Sequence, residues 1–167
     1  MGRDRMLRAL AAAIACIALA GCAAGISRQA RSQVTYWGPF SEMQENPDAH
    51  KKDVVLLGGR IIENDTLPHG SELAVLQTPL GSYDRPGSPD ASEGRFLVRS
   101  NDFLDPGVYE KGAMVTVVGE IVGSESRKIG DSNYVHPIIQ EREIKLWKEP
   151  MWLGNGIHFS VGVGATF

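Results

Sequence analysis

The chain has 167 residues, 43% of them hydrophobic and 22% charged, which places it among single globular domains and excludes disordered and collagen-like chains. A formal net charge of −3 with no basic stripe lacks the electrostatic footprint from which most nucleic-acid affinity comes, so no nucleic-acid partner is expected. The only two cysteines are Cys16 and Cys22, and the four histidines are scattered, so there is no zinc-finger spacing, no Cys-x-x-Cys pair, and no expected metal or cofactor.

The N-terminus carries Arg3, Arg5 and Arg8, then an uncharged run from Ala9 to Leu19, then Gly21-Cys22. A positive end, a short apolar run and small residues define a secretory signal. The run makes about 16 Å of helix, short of the roughly 30 Å hydrocarbon core, so it does not serve as a permanent span. Leu19-Ala20-Gly21-Cys22 looks like a lipobox: the sulfur of Cys22 takes the lipid, and small residues before it admit the signal peptidase to the backbone. Residues 1–21 therefore read as a cleaved lipoprotein signal peptide, with Cys22 carrying diacylglycerol and an N-acyl chain such as palmitate. One acyl chain binds reversibly, whereas two or three anchor for good. An uncleaved helix with an incidental cysteine is the bland alternative. Cleavage removes Cys16 and leaves no disulfide partner within the mature chain. Ala23 lacks the aspartate that, by resemblance to Gram-negative lipoprotein sorting, retains a protein in the inner membrane; outer membrane, periplasmic face, is the expected location.

Residues 22–33 read as a lipidated tether, with Arg28 and Arg31 and no acidic residue before Glu42. As a coil it spans about 18 Å, and each arginine beside anionic headgroups adds up to about 1 kcal/mol. A solvated linker is the alternative. Ser41 to Lys52 holds a short helical turn with Pro47 near a start.

The body, residues 34–149, alternates β-type runs with turn clusters. Val54 to Leu57 is interrupted at Gly58-Gly59 and resumed by Arg60 to Ile62, the mark of a bulge or sharp coil. A turn over Glu63 to Gly70 leads to Glu72 to Thr78, making a hairpin. The Pro- and Gly-rich stretch Pro79 to Asp90 excludes a central strand. Arg95 to Arg99 is the third run. Val115, Val117, Gly119 and Ile121 share one face of the fourth. The fifth, Tyr134 to Trp147, is expected to break near Pro137. Five strands, the first interrupted by glycines, predict an all-β fold: a small OB-like Greek-key barrel, with a β-sandwich as the alternative. Residues 150–167 end in an amphipathic strand-like tail, in which Phe159, Val161, Val163 and Phe167 alternate with small or polar residues, like a membrane-barrel strand. One strand cannot cross alone, so membrane or oligomer contact there requires several subunits; pairing with the domain's own sheet is the bland reading.

Pro79-Leu80-Gly81-Ser82-Tyr83-Asp84-Arg85-Pro86, Glu93-Gly94-Arg95-Phe96-Leu97, Phe103-Leu104-Asp105-Pro106 with Tyr109 and Lys111-Gly112, and Val115 to Gly123 together resemble the Slp family of Gram-negative outer-membrane lipoproteins. The likeness runs from the lipobox to about Trp147. It implies an outer-membrane lipoprotein associated with starvation or stationary phase, and it transfers one functional position, Cys22.

The candidate sites are modest. Asp102 with Asp105, and Asp84 with Asp90, form carboxylate pairs, but aspartate in turns ordinarily bonds its own backbone. Tyr134 and His136 share a strand face, which suits a satisfied structural histidine better than a general base. Tyr83, Phe103 and Tyr109 make an aromatic floor for a sugar or peptide, or else pack under the long loop. The expected function is a non-catalytic, lipid-anchored binding or scaffolding module acting on an envelope glycan or protein. The alternatives are a subunit of an oligomeric outer-membrane assembly, with oligomeric state open, and an envelope hydrolase; no activated nucleophile supports the last.

Overall fold

A computed structural model describes residues 25–148. A helical turn α1 (Arg28–Arg31) and a short helix α2 (Phe40–Glu45) precede a 3-10 turn at Pro47–His50 and five strands: β1 (Val54–Leu67), β2 (Gly70–Thr78), β3 (Arg95–Ser100), β4 (Met114–Ile129) and β5 (Ser132–Trp147). The strands close in the order β1-β2-β3-β5-β4, with β3 and β5 parallel and the other pairs antiparallel. This is the five-stranded Greek-key barrel of OB type. Its closure excludes the open sandwich.

β1 pairs with β4 through Val54 to Arg60 and with β2 from Gly58 to Leu67, so Gly58 to Arg60 is hydrogen-bonded on both sides. A Cβ on Gly59 would overlap the Leu76 carbonyl, and one on Gly58 would overlap Leu80. The glycines thus serve close approach, and the bulge falls three residues later, at Ile62, between Ile61 and Glu63. The turn expected over Glu63 to Gly70 is also shorter: Asn64, Asp65 and Thr66 continue the ladder against Leu73, Glu72 and Ser71, leaving Pro68-His69 as the turn. Turn-prone Asn64 finds its partners here instead, donating from Nδ2 to the carbonyls of Leu104 (3.0 Å) and Tyr109 (3.2 Å). β5 runs unbroken through Pro137; the irregularity nearest it sits in its partner, between Ile121 and Gly123, and a second leaves Arg142 of β5 extra opposite Val118 and Gly119.

The core holds Val55, Ile61, Leu73, Val75, Phe96, Val98, Val115, Val117, Ile121 and Ile139. The expected inward face of β4 is therefore inward, apart from Gly119, which has no side chain. At one end of the barrel α2 inserts Phe40 and Met43, the Phe40 ring 6.0 Å from Phe96. At the other, Leu104 and Tyr109 of the β3–β4 loop close the core, held by Leu104 N donating to Ser71 Oγ at 2.8 Å.

Two layers lie outside the barrel wall, and both depart from the sequence reading. Residues 26–34 are not a coil: Ile26, Ala30 and Val34 are buried against Val54, Val118 and Leu56 on the outer face of β1–β4. Their spacing of four puts them on one side of a helical turn, and the buried apolar surface offsets the entropy of ordering it. This covering is why Val118, which faces away from the core, is also buried; Thr116 on the same face is covered instead by the Asp84 carbonyl and Trp147.

Candidate binding cleft beside the N-terminal segment

OB-type barrels commonly hold oligonucleotides or oligosaccharides on the outer face of their second and third strands. Here that face carries the second outer layer. Leu97 lies between the inward Phe96 and Val98, so it points outward, yet it is fully buried. The distal half of the β4–β5 hairpin reaches this face: Arg99 Nε donates to Glu72 at 2.7 Å, Arg99 Nη2 to Glu125 at 2.9 Å, Arg127 Nε to Glu125 at 2.9 Å, and Arg127 also to Glu72. Glu72 and Arg99 belong to β2 and β3, Glu125 and Arg127 to β4, so the quartet clamps the hairpin onto the ladder. Hydrogen bonding to Arg127, with the Arg127 and Arg99 charges, holds the Glu125 carboxyl below its usual range despite partial burial. Beside it Tyr134 and His136 pack edge to face with ring centroids 5.2 Å apart, and His136 Nδ1 lies 3.0 Å from the Tyr134 carbonyl oxygen. Burial pushes the His136 imidazole down, as do the cations Arg127 and Arg95. It is a neutral packing group.

A shallow concavity of about 370 Å³ remains on this side, lined by Leu76, Arg95, Ile129 and Tyr134; a more enclosed one lies elsewhere. A cleft of about 390 Å³ lies between the N-terminal segment, α2 and the loop after β2. Its apolar walls include Trp37, Phe40, Met43, Leu57 and Leu80; its polar ones are Arg31, Tyr36, Gln77, Thr78 and Asp84. The N-terminal wall is set by Ser27, whose Oγ caps α1 by accepting from Ala30 N (3.1 Å) while donating to Glu143 (2.6 Å). Thr35 then joins β1 at Val54 through both backbone and side chain. The opposite wall is a tight loop closed by a Leu80–Pro86 bridge and by Gly87 N donating to Pro79 O at 2.8 Å. Thr116 Oγ1 donates to the Asp84 carbonyl at 2.6 Å and accepts from Trp147 Nε1 at 2.9 Å, fixing this loop to the barrel.

An ion pair between Arg31 and Asp84 ties the two walls, and the Arg31 guanidinium lies 5.6 Å from the Trp37 ring centroid. Trp37 is nevertheless 62% exposed. Tyr36 donates its hydroxyl to Pro39 O at 3.0 Å; burial, aided by Glu42 and Asp53, raises its phenol above the usual value. Thr78 Oγ1 is buried without a hydrogen-bond partner. An orphaned hydroxyl is uncommon in a folded interior, and this one belongs to a residue lining the cleft. An exposed aromatic ring and a charged pair in one concave surface suit a ligand with an apolar face and hydroxyl groups.

The expected aromatic floor does not assemble. Tyr83 follows the end of β2 and is 78% exposed, whereas Phe103, 64% exposed, and Tyr109 lie in the β3–β4 loop at the opposite end of the barrel. Tyr109 packs against the core, and burial, aided by Glu141, raises its phenol. The aspartate pairs separate into turns: Asp105 accepts from Gly107 N at 2.8 Å, Asp90 bonds Ser88, and Asp84 pairs with Arg31. Glu141, not singled out from sequence, has its carboxyl raised by burial and by Asp102 and Glu143, against a 2.9 Å hydrogen bond from Ser100 Oγ that lowers it. Ser100 also accepts from Asp102 N at 3.1 Å, which fastens a loop. Among the described residues no group of three or more His, Cys, Asp or Glu could hold a metal ion, and no helix is long and apolar enough to cross a membrane. Leu19, Ala20, Gly21 and Cys22, and Phe159, Val161, Val163 and Phe167, lie outside the described residues. The cleft was missed from sequence; the fourfold spacing of Ile26, Ala30 and Val34 beside an isolated Trp37 was the signal available.

An uncharacterized protein of Haemophilus influenzae is 30% identical over 136 residues, which cover 79% of this chain and 72% of that protein. The uncharacterized lipoprotein YeaY of Escherichia coli K12 is 28% identical over 145 residues, 87% of this chain and 75% of that one. The outer membrane protein Slp of the same strain is 30% identical over 113 residues, 65% of this chain and 57% of its own length. Among solved structures, the mitochondrial single-stranded DNA-binding protein Rim1 of S. cerevisiae is similar at a TM-score of 0.37 and 17% identity, over 60% of this chain and 99% of that one. Residues 19–155 match the Outer membrane lipoprotein Slp family, and the chain belongs to that family.

Proposed function

We propose that this Slp-type lipoprotein is a non-catalytic binding module, anchored by lipid on Cys22 at the periplasmic face of the outer membrane, and that its cleft holds an envelope glycan. The observation that carries the reading is the placement of exposed Trp37 beside the Arg31–Asp84 ion pair in one cleft. A pyranose offers a CH face to stack on the indole and hydroxyls to meet the Arg31–Asp84 pair. Covering of the β2–β3 face by the hairpin favours the cleft over the usual OB surface. The raised Glu141 and its partner Ser100 stand apart from the cleft, and Ser100 is buried, which argues against a hydrolase built on them. The association with starvation or stationary phase is retained as a family expectation about when the module is made.

Titrating the purified lipidated protein in detergent with soluble peptidoglycan fragments tests the ligand. Saturable binding that is lost in Trp37→Ala and weakened in Arg31→Gln is the expected result. Binding that survives Trp37→Ala unchanged would place the site elsewhere. Absence of any binding would remove the glycan. The anchor is tested by Cys22→Ser, which should accumulate as unlipidated precursor; a serine variant processed and fractionating with outer membrane as wild type does would refute lipidation.

A further inference from the structure

The face around the cleft mouth shows three features that the barrel does not require. Tyr83 is 78% exposed and Trp37 62% exposed, and both adjoin the Arg31–Asp84 pair, Tyr83 by sequence and Trp37 through the Arg31 guanidinium 5.6 Å from its ring. The backbone presenting Tyr83 is strained. Tyr83 and Asp84 are consecutive non-glycine residues at φ values of 58° and 62°, in the left-handed region that bulky side chains disfavour. Strain is retained only where surrounding contacts over-determine it; here these are the Thr116 bond to Asp84 O and the close approach of Gly25 to the Tyr83 carbonyl. The loop is thereby held so as to present Tyr83 to solvent.

The approach of Gly25 also locates this face. Gly25 is three residues from Cys22, a separation that no chain conformation can extend beyond about 11 Å. Whatever membrane receives lipid on Cys22 therefore lies close to Tyr83. Arg28 adds positive charge to this segment, whereas the Arg31 guanidinium is already matched by Asp84 on the same face. Aromatic rings with one polar end concentrate at the level of lipid headgroups, and arginines near an anionic leaflet are attracted to it.

We infer that the face carrying Trp37, Tyr83, Arg28 and Arg31 lies on the bilayer that receives the Cys22 lipid, so that the domain is docked in one orientation and does not swing on its tether. This rests on the lipid-anchored reading above. The cleft mouth then sits at the headgroup layer, with the β3–β4 loop and exposed Phe103 at the far end of the barrel, turned away from the membrane. Its glycan is one that lies along the membrane surface.

The lipidated protein reconstituted into vesicles of phosphatidylethanolamine and phosphatidylglycerol provides the test. Once Cys16 leaves with the signal peptide and Cys22 carries lipid, an introduced cysteine is the sole free thiol, so Tyr83→Cys, Trp37→Cys and Phe103→Cys can each carry an environment-sensitive fluorophore. Co-flotation with vesicles reads the anchor; quenching by nitroxide-bearing lipids reads the orientation. The expected result is co-flotation of all three variants, with labels at positions 83 and 37 blue-shifted and quenched several-fold more than the label at 103. Reversing the charge in Arg28→Glu, or raising salt to about 1 M, should narrow that difference without releasing the protein. Co-flotation with equal quenching at the three positions would overturn the docked orientation and leave the anchor standing. Failure to co-float would overturn both.

Discussion

Replacing Glu72 by glutamine should destabilise the domain by about 2 kcal/mol, and the same change at Glu125 by about 0.5 kcal/mol. Both carboxylates serve the same two arginines, but the Glu72 side chain is 6% exposed and that of Glu125 is 40% exposed. Breaking a fully buried pair costs about 3–5 kcal/mol, and an exposed one contributes roughly 0.2–1 kcal/mol. Arg99 and Arg127 are 37% and 31% exposed, so water screens them when Glu72 loses its charge, which sets the intermediate figure. With a urea dependence of roughly 2 kcal/mol per molar, the Glu72→Gln midpoint should fall by about 1 M, and that of Glu125→Gln by about a quarter of this. Amide exchange in the β4–β5 hairpin supplies the local readout, because a clamp that is released exposes the hairpin before the barrel opens. The contribution of Glu125 also has a defined pH sense. Its folded carboxyl is lowered, so this stabilisation is present above the ordinary glutamate value and is lost as pH falls through the folded one. Equal midpoint losses for the two variants, or hairpin exchange unchanged in Glu72→Gln, would refute the clamp.

Two further changes probe the core and the far end of the barrel. Val117 is fully buried among Leu57 and Ile144 as cross-strand neighbours, so Val117→Asp should cost several kcal/mol, a large part of a domain's usual 5–15 kcal/mol; a melting temperature that barely moves would refute its inward placement. Glu141 has the opposite pH sense to Glu125: its folded carboxyl is raised, so the domain loses stability as pH rises from the ordinary glutamate value through the folded one. Urea midpoints measured across that interval should fall for the wild type and stay level for Glu141→Gln, and parallel profiles would exclude the effect.

The barrel was legible because its strands obey local rules. Val115, Val117 and Ile121 alternate, and the paired glycines in β1 were read as a bulge or sharp coil, whereas they serve close approach and the bulge lies three residues later, at Ile62. What escaped was tertiary. Asn64 and Asp65 are turn formers by propensity, and they lie in a strand because the β3–β4 loop offers Asn64 carbonyl partners that no local pattern encodes. The N-terminal segment looked like a linker because its apolar residues are few; three of them at fourfold spacing suffice once β1 and β4 present an outer face to receive them. The same ambiguity hid the cleft. Trp37 and Asp84 are 47 positions apart, and only the docking of the segment brings them to one cleft.

The two outer layers have different consequences for how the fold is used. On the β2–β3 side, Arg99 and Arg127 are already matched by Glu72 and Glu125, so a polyanion would have to displace two carboxylates, one of them buried, to reach these two arginines. On the β1–β4 side the covering layer is the segment that begins three residues after Cys22, and it leaves a hollow between itself and the Pro79–Pro86 loop. The Arg31–Asp84 pair and the close approach of Gly25 to the Tyr83 carbonyl join that segment to the loop opposite, so the two walls of the cleft are held together by contacts that begin three residues after Cys22.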